Sequence, residues 1–217
     1  MRQTTTREEV LSFQDEPVLE LSLALPAPPW DGRGGAKIQA FYDRMGQLWL
    51  RRWKEVLFPR AARALEEARA RARPFSPWKA GLRCRISWED GEVLSLCLDA
   101  VEEDGTSRPR VLRTADTWDL RHGAPLSLPE RLSCGRHWRR AVLAEVRRQV
   151  LQRSETGEHA FYIDVERRIR RHFSPERFFL TPQGVSVFYP VYALGPWAEG
   201  IPVFPLALPS RSPAASA

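Results

Sequence analysis

Ile38, Phe41, Tyr42, Met45, Trp49, Trp53 and Val56 recur at three- and four-residue intervals and form one continuous apolar stripe. A helix this long, dry along one side and wet along the other, draws most of its stability from what covers the dry side. The rest of the chain must therefore supply a layer to bury it. Pro59 lacks the backbone donor and is expected to kink or restart the helix. The Ala/Arg/Glu run from Ala61 to Arg73 can continue it, with side-chain ion pairs worth about 0.3 kcal/mol each, until Pro74 and Pro77 end it. Gly32-Arg33-Gly34-Gly35, just ahead of the stripe, reads as a flexible turn. Together with Lys37 it does not match the spacing of a phosphate-binding loop, and no Ser or Thr follows to hold magnesium.

The covering layer is legible as strands. Val18 to Leu25 alternates and stops at the proline-rich Pro26 to Pro29. Leu82 to Trp88 and Val93 to Val101 flank a turn at Asp90-Gly91, followed by a polar loop, Glu102 to Arg108, and a strand from Val111 to Leu120. After His122-Gly123, Leu126-Ser127-Leu128-Pro129-Glu130 looks like a cap and first helical turn, with Pro129 suited to the first helical position. A second helix is expected from His137 to Leu151 on Trp138, Val142, Val146 and Val150. A third is expected from Ile163 to Phe173 on Ile163, Ile169 and Phe173. Phe178-Phe179-Leu180 and Val185 to Tyr189 flank the turn Thr181-Pro182-Gln183-Gly184, and a last strand runs from Pro202 to Leu208. Hairpins with helices inserted between them predict an α+β fold: a mainly antiparallel sheet with the long N-terminal helix and two helices of the C-terminal half packed on it. Residues 1–16 are expected as an N-terminal tail. Residues 17–208 are expected as a single domain with halves meeting near 105 and 106, and 209–217 as a disordered tail.

Charge and cysteine content narrow the function. The formal charge is +6, and only Lys37, Lys54 and Lys79 among the basic residues are lysines. The acidic residues are interleaved with the arginines, as in Glu66-Glu67-Ala68-Arg69, which makes a solvated surface rather than a phosphate track. Nucleic acid is therefore the third-ranked partner, its candidate residues being Arg139, Arg140, Arg147, Arg148, Arg167, Arg168, Arg170 and Arg171. No apolar run is long enough for a signal-peptide core or a membrane span, so the chain as written is expected in the cytoplasm. Cys84, Cys97 and Cys134 lack metal or redox spacing. A two-residue Asp90-Gly91 turn would set Cys84 opposite Cys97, but the apolar match favours a three-residue Glu89-Asp90-Gly91 loop, which puts the pair on opposite faces and leaves them reduced.

Reactive groups are thin. His122, His137, His159 and His172 show no helical pairing for a metal, so neither metal nor cofactor is expected. Asp119 and His122 could share a proton, which keeps an enzyme as the second reading, although Asp119 ahead of Gly123 also suits a turn. The dense segment is 178–208, where Tyr189, Pro190, Tyr192, Pro196, Trp197, Gly200 and Pro202 form a crossing before the last strand. Prolines stiffen such a backbone, and aromatic rings offer contact area at small entropic cost, which suits a protein-binding surface. The same rings could equally cap the open end of the core.

This segment resembles the C-terminal domain shared by RsiV-type anti-sigma factors and PdaC-type peptidoglycan deacetylases. The matching elements are Phe179-Leu180-Thr181, Tyr189-Pro190-Val191-Tyr192 and Pro196-Trp197-Ala198-Glu199-Gly200, and upstream Thr117 to Gly123 with Leu126-Ser127-Leu128. The resemblance spans roughly Val18 to Leu208 and is strongest at the C-terminal end. It implies a non-catalytic sensor domain, extracellular in most members, whose ligand is a protein (lysozyme in the RsiV case) or is related to the cell wall. The sequence departs from that pattern in lacking a preceding sigma-binding segment and membrane span, and Asp104-Gly105-Thr106-Ser107-Arg108 stands where a Gly-Gly-Ala-His stretch is common. The deacetylase's Asp-Asp and His-x-x-x-His motifs are also absent, so its catalysis does not carry over.

Overall fold

The computed structural model describes residues 4–27, 30–105, 108–157 and 159–208. The fold is α+β, with 38% of residues in helices and 34% in strands. Among the described residues there are two sheets: six strands in the order β1-β2-β3-β4-β5-β6, and three in the order β7-β8-β9. The chain forms two compact units, one of residues up to Arg85 plus Leu98–Leu112, the other of Ile86–Cys97 plus the residues from Arg113. Strands β3 (Trp78–Glu89), β4 (Val93–Glu103) and β5 (Arg110–Asp119) are each divided between the units, where the sequence suggested one crossing near residue 105.

In the first unit, residues expected as an N-terminal tail form strand β1 (Thr4–Phe13), paired antiparallel with β2 (Glu16–Pro26). Two things hide this strand in the sequence. None of its side chains is buried and Thr4 to Glu8 are all exposed, so only a short apolar alternation at its end marks it, and its turn uses Gln14 and Asp15 at φ 50° and 65° rather than the usual glycine. β2 pairs with β3 in parallel, a departure from the expected antiparallel pairing. One face of β2, including Leu19, Leu21 and Leu23, is buried, as are Ala80, Leu82 and Cys84 of β3.

Helix α1 (Gly32–Arg52) begins inside the glycine cluster expected as a turn. Gly35 is required by packing: a Cβ there would lie 2.1 Å from the Trp30 carbonyl oxygen. On propensity alone Gly→Ala within a helix stabilises by roughly 0.5–1 kcal/mol. Gly35→Ala is instead expected to destabilise by about 1–3 kcal/mol, the cost of forcing extra volume into a closed contact. The shift of the urea midpoint gives the sign, and a stabilised variant contradicts the geometry.

Pro59 does perturb the helix, without interrupting it. Residues Trp53–Leu57 form a π-helical turn leading into α2 (Phe58–Ala70), with the Phe58 amide donating to the Trp53 carbonyl. A proline ring clashes with the carbonyl four residues back, and widening the preceding turn relieves the clash. From the start of the π turn onward, buried positions step by four, as Trp53, Leu57, Ala61 and Leu65. Val56 and Phe41, expected in the stripe, are exposed for that reason and by their position on its rim. The expected polar loop from Glu102 begins with a buried strand end. Glu102 accepts from Arg52 Nε at 3.0 Å and from the indole Nε1 of Trp53 at 3.2 Å, and Asp104 accepts from Arg110 at 2.8 Å.

In the second unit the β3–β4 turn is centred one residue later than expected. The Asp90 amide donates to the Val93 carbonyl, and the Asp90 carboxylate accepts from the amides of Glu92 and Val93. Cys84, Cys97 and Cys134 are thiols not joined in disulfides. A two-residue strand β6 (Ala124–Pro125) pairs with the end of β5. Ser127 caps the one-turn helix α3 (Leu128–Arg131), with Pro129 at the second helical position rather than the first. Helix α4 (Trp138–Glu155) buries Val142, Val146 and Val150 as its stripe predicts. Helix α5 (Val165–His172) is shorter than expected, starts after Asp164, and leaves Ile163 outside and fully exposed.

The small sheet comprises β7 (Phe178–Thr181), β8 (Gly184–Phe188) and β9 (Val203–Pro205). Because strand side chains alternate, Phe178, Leu180, Val185 and Val187 join the α4/α5 core, whereas Phe179 and Phe188 pack with Cys97. The amide of Leu180 donates to the buried hydroxyl of Ser95, which also bonds Thr117 Oγ1 at 2.9 Å.

Candidate functional site

The crossing from Tyr189 to Pro202 divides into anchors and surface. Tyr189 continues the alternation of Val185 and Val187 past the end of β8, so its ring enters the core and is 0% exposed. It packs edge-on against Phe204 at 5.8 Å, its hydroxyl donates to the Ile169 carbonyl at 3.2 Å, and its amide donates to the buried Pro202 carbonyl at 3.0 Å. Burial raises the Tyr189 phenol well above its ordinary range. Tyr189 and Pro202, both read as contact candidates, are therefore structural.

Tyr192 behaves oppositely. The Ala193 amide donates to the Pro190 carbonyl at 3.0 Å, closing a turn whose third residue is Tyr192 at φ 66°. Turns of that shape ask for glycine, and a non-glycine residue there is strained by roughly 1–2 kcal/mol. The strained residue carries a ring that is 47% exposed. Pro196 is exposed, and Pro190, Trp197 and Gly200 are half-buried. Trp197 opens a short 3₁₀ turn (Trp197–Glu199) closed by Gly200 at φ 62°, so Gly200 serves the backbone path.

A second segment, overlooked in the sequence, lies against this crossing. Glu199 Oε1 accepts from the Ala160 amide at 2.8 Å, and Glu199 Oε2 lies 2.6 Å from His159 Nδ1. These two hydrogen bonds, with the charge of His159, outweigh burial and hold the Glu199 carboxyl below its ordinary range. Gly195 admits the approach, since a Cβ there would lie 2.4 Å from the Ala160 carbonyl oxygen. The Tyr162 amide donates to the Leu194 carbonyl at 2.9 Å, bringing the exposed Ile163 to within one residue of the crossing's backbone. The sequence places Ile163 at the start of the third helix, with Ile169 and Phe173. Asp164 as the helix cap displaces it.

The other candidates fare differently. Asp119 and His122 do meet, with His122 Nδ1 2.7 Å from Asp119 Oδ2. They sit on an exposed turn that Asp119 itself shapes, accepting from the amides of Arg121 and His122. Burial works against the Asp119 charge, but these bonds outweigh it and lower the carboxyl below its usual range. Among the described residues, no group of three or more His, Cys, Asp or Glu is placed to hold a metal ion. Nor, among them, is any helix long and apolar enough to cross a membrane. Several of the arginines considered for nucleic acid are engaged: Arg147 with Glu166, Arg148 with Glu145, and Arg167 and Arg168 with Asp164.

Residues 136–208 match the family model of DUF3298, a protein family of unknown function. A search of curated proteins found no match. Similar solved structures include two of that family. A DUF3298 family protein from Pseudomonas aeruginosa PAO1 superposes with a TM-score of 0.54 at 14% identity, over 95% of this chain and 88% of that one. A member of the same family from Bacteroides fragilis NCTC 9343 gives a TM-score of 0.62 at 15% identity, over 94% and 88%. At such identities the likeness establishes the fold.

Proposed function

We propose that this chain is a non-catalytic binding domain of the RsiV-like type, which takes a protein or cell-wall-related ligand on the crossing between β8 and β9. Tyr192 carries the reading: an aromatic side chain held outward at positive φ, where glycine would be less strained. Strain retained at an exposed residue is commonest where the side chain has work outside the fold. Trp197, Pro196 and the fully exposed Ile163 add further apolar groups on the crossing and on the segment bonded to it. The anchors Tyr189 and Pro202 and the Glu199 bridge to His159 and Ala160 keep the crossing preformed, which lowers the ordering cost of binding. The reading assigns no chemical step to the chain.

The strained backbone supplies a clean variant. Tyr192→Gly removes the ring and relieves the turn, so its melting temperature is expected to equal or exceed that of the parent. Lysozyme, the ligand implied by the RsiV resemblance, is the first probe. Binding by calorimetry is expected for the parent and to weaken at least roughly tenfold in Tyr192→Gly and in Trp197→Ala. A parent chain that leaves lysozyme free removes that ligand, and variants that bind as tightly as the parent remove the surface.

A further inference from the structure

The facing sides of α4 and α5 form a groove that the crossing does not use. Its α4 wall runs Arg140, then Leu143 and Ala144, then Arg147 and the Glu145-paired Arg148, then Leu151, so charged and apolar positions alternate along the helix. On the α5 side, Ile169 closes the floor and Arg170 stands at the edge. The volume is about 470 Å³, enough for a few side chains. Nine arginines stand on the two helices against three glutamates. Within that excess, Arg147 is held by Glu166 at 2.7 Å, whereas Arg140, Arg170 and Arg171 form no ion pair among the described residues. At the end of α5, burial and then Arg171, Arg168 and Arg177 push the His172 imidazole below its ordinary value against the opposing pull of Asp164. Leu151 lies exposed in the same groove.

From this we infer that the α4/α5 groove docks an acidic peptide segment of a partner protein, with aliphatic side chains between its carboxylates. Arg140 and Arg170 would pair with the carboxylates, and the Leu143, Ala144 and Leu151 positions would take the aliphatic groups. A nucleic acid fits less well, because the apolar floor offers places for aliphatic side chains and none for phosphates or sugars.

The test uses a short fluorescent peptide made only of glutamate and leucine, with leucines three and four residues apart, followed by anisotropy on the full chain. Two comparison probes carry the same charge: the peptide with serine for every leucine, and oligothymidylate. Tight binding of the leucine peptide alone is expected. The triple variant Arg140→Gln/Arg170→Gln/Arg171→Gln, at exposed positions, is expected to weaken it at least roughly tenfold with the melting temperature kept. Glu166→Gln releases Arg147 and is expected to tighten it, a gain that a merely damaged fold would not produce. Equal binding of the serine peptide or of oligothymidylate overturns the inference in favour of bare polyanion attraction. An unchanged affinity in the triple variant, or no binding of the leucine peptide to the parent, overturns it as well.

Discussion

Replacing Tyr189 by alanine is expected to destabilise the protein by about 3–5 kcal/mol, the usual cost of emptying a buried aromatic site. Folded domains are stable by roughly 5–15 kcal/mol, so the second unit should lose most of its margin. The effect arises from geometry. The ring is wholly enclosed, meets Phe204 edge-on, and belongs to the same cluster as Val187 and Leu194. Tyr189→Phe keeps the ring and deletes the hydroxyl that donates to the Ile169 carbonyl, so it should cost only about 1 kcal/mol. Urea denaturation followed by tryptophan fluorescence separates the two. The contrast with Tyr192 is the decisive part: three residues apart, one tyrosine should be indispensable to the fold and the other removable. If Tyr189→Ala unfolds at the parent's urea concentration, the crossing is not anchored as described.

Trp53→Ala should cost a similar amount, about 3–5 kcal/mol, in the first unit. Trp53 is fully buried at the start of the π turn, and its indole nitrogen donates to Glu102. Glu102→Gln keeps an acceptor and is expected to be mild. Glu102→Leu strands the buried indole N–H and should cost about 1–3 kcal/mol. The two residues share one hydrogen bond, so their effects should fall short of additive. A double-mutant cycle in which Trp53→Ala and Glu102→Leu simply add would show that the bond contributes nothing to stability.

Much of the second unit was readable from residue spacing. The stripe Val142, Val146, Val150 and the hairpin around Pro182-Gln183 fall where pattern places them. Tyr189 was readable too, since Val185, Val187 and Tyr189 share the parity of one strand face. The density of prolines and rings around it pointed outward instead. Strand β1 was not readable, because an edge strand held by backbone bonds needs no apolar alternation. The buried state of Glu102 was equally hidden, since its partners Arg52 and Trp53 stand some fifty positions earlier in the chain. The bridge from Glu199 to His159 and Ala160 spans forty positions and leaves no local trace.

Local physics thus sets where helices run, where prolines disturb them and which strand faces are dry, because those preferences act over one turn or one pleat. It also marks 189–202 as unusual through composition. Which ring of that stretch points in, which turn residue carries strain, and which arginines are left without carboxylates depend on long-range packing. Residues far apart in sequence must share one small volume, and their competition for it is resolved only when the chain closes on itself.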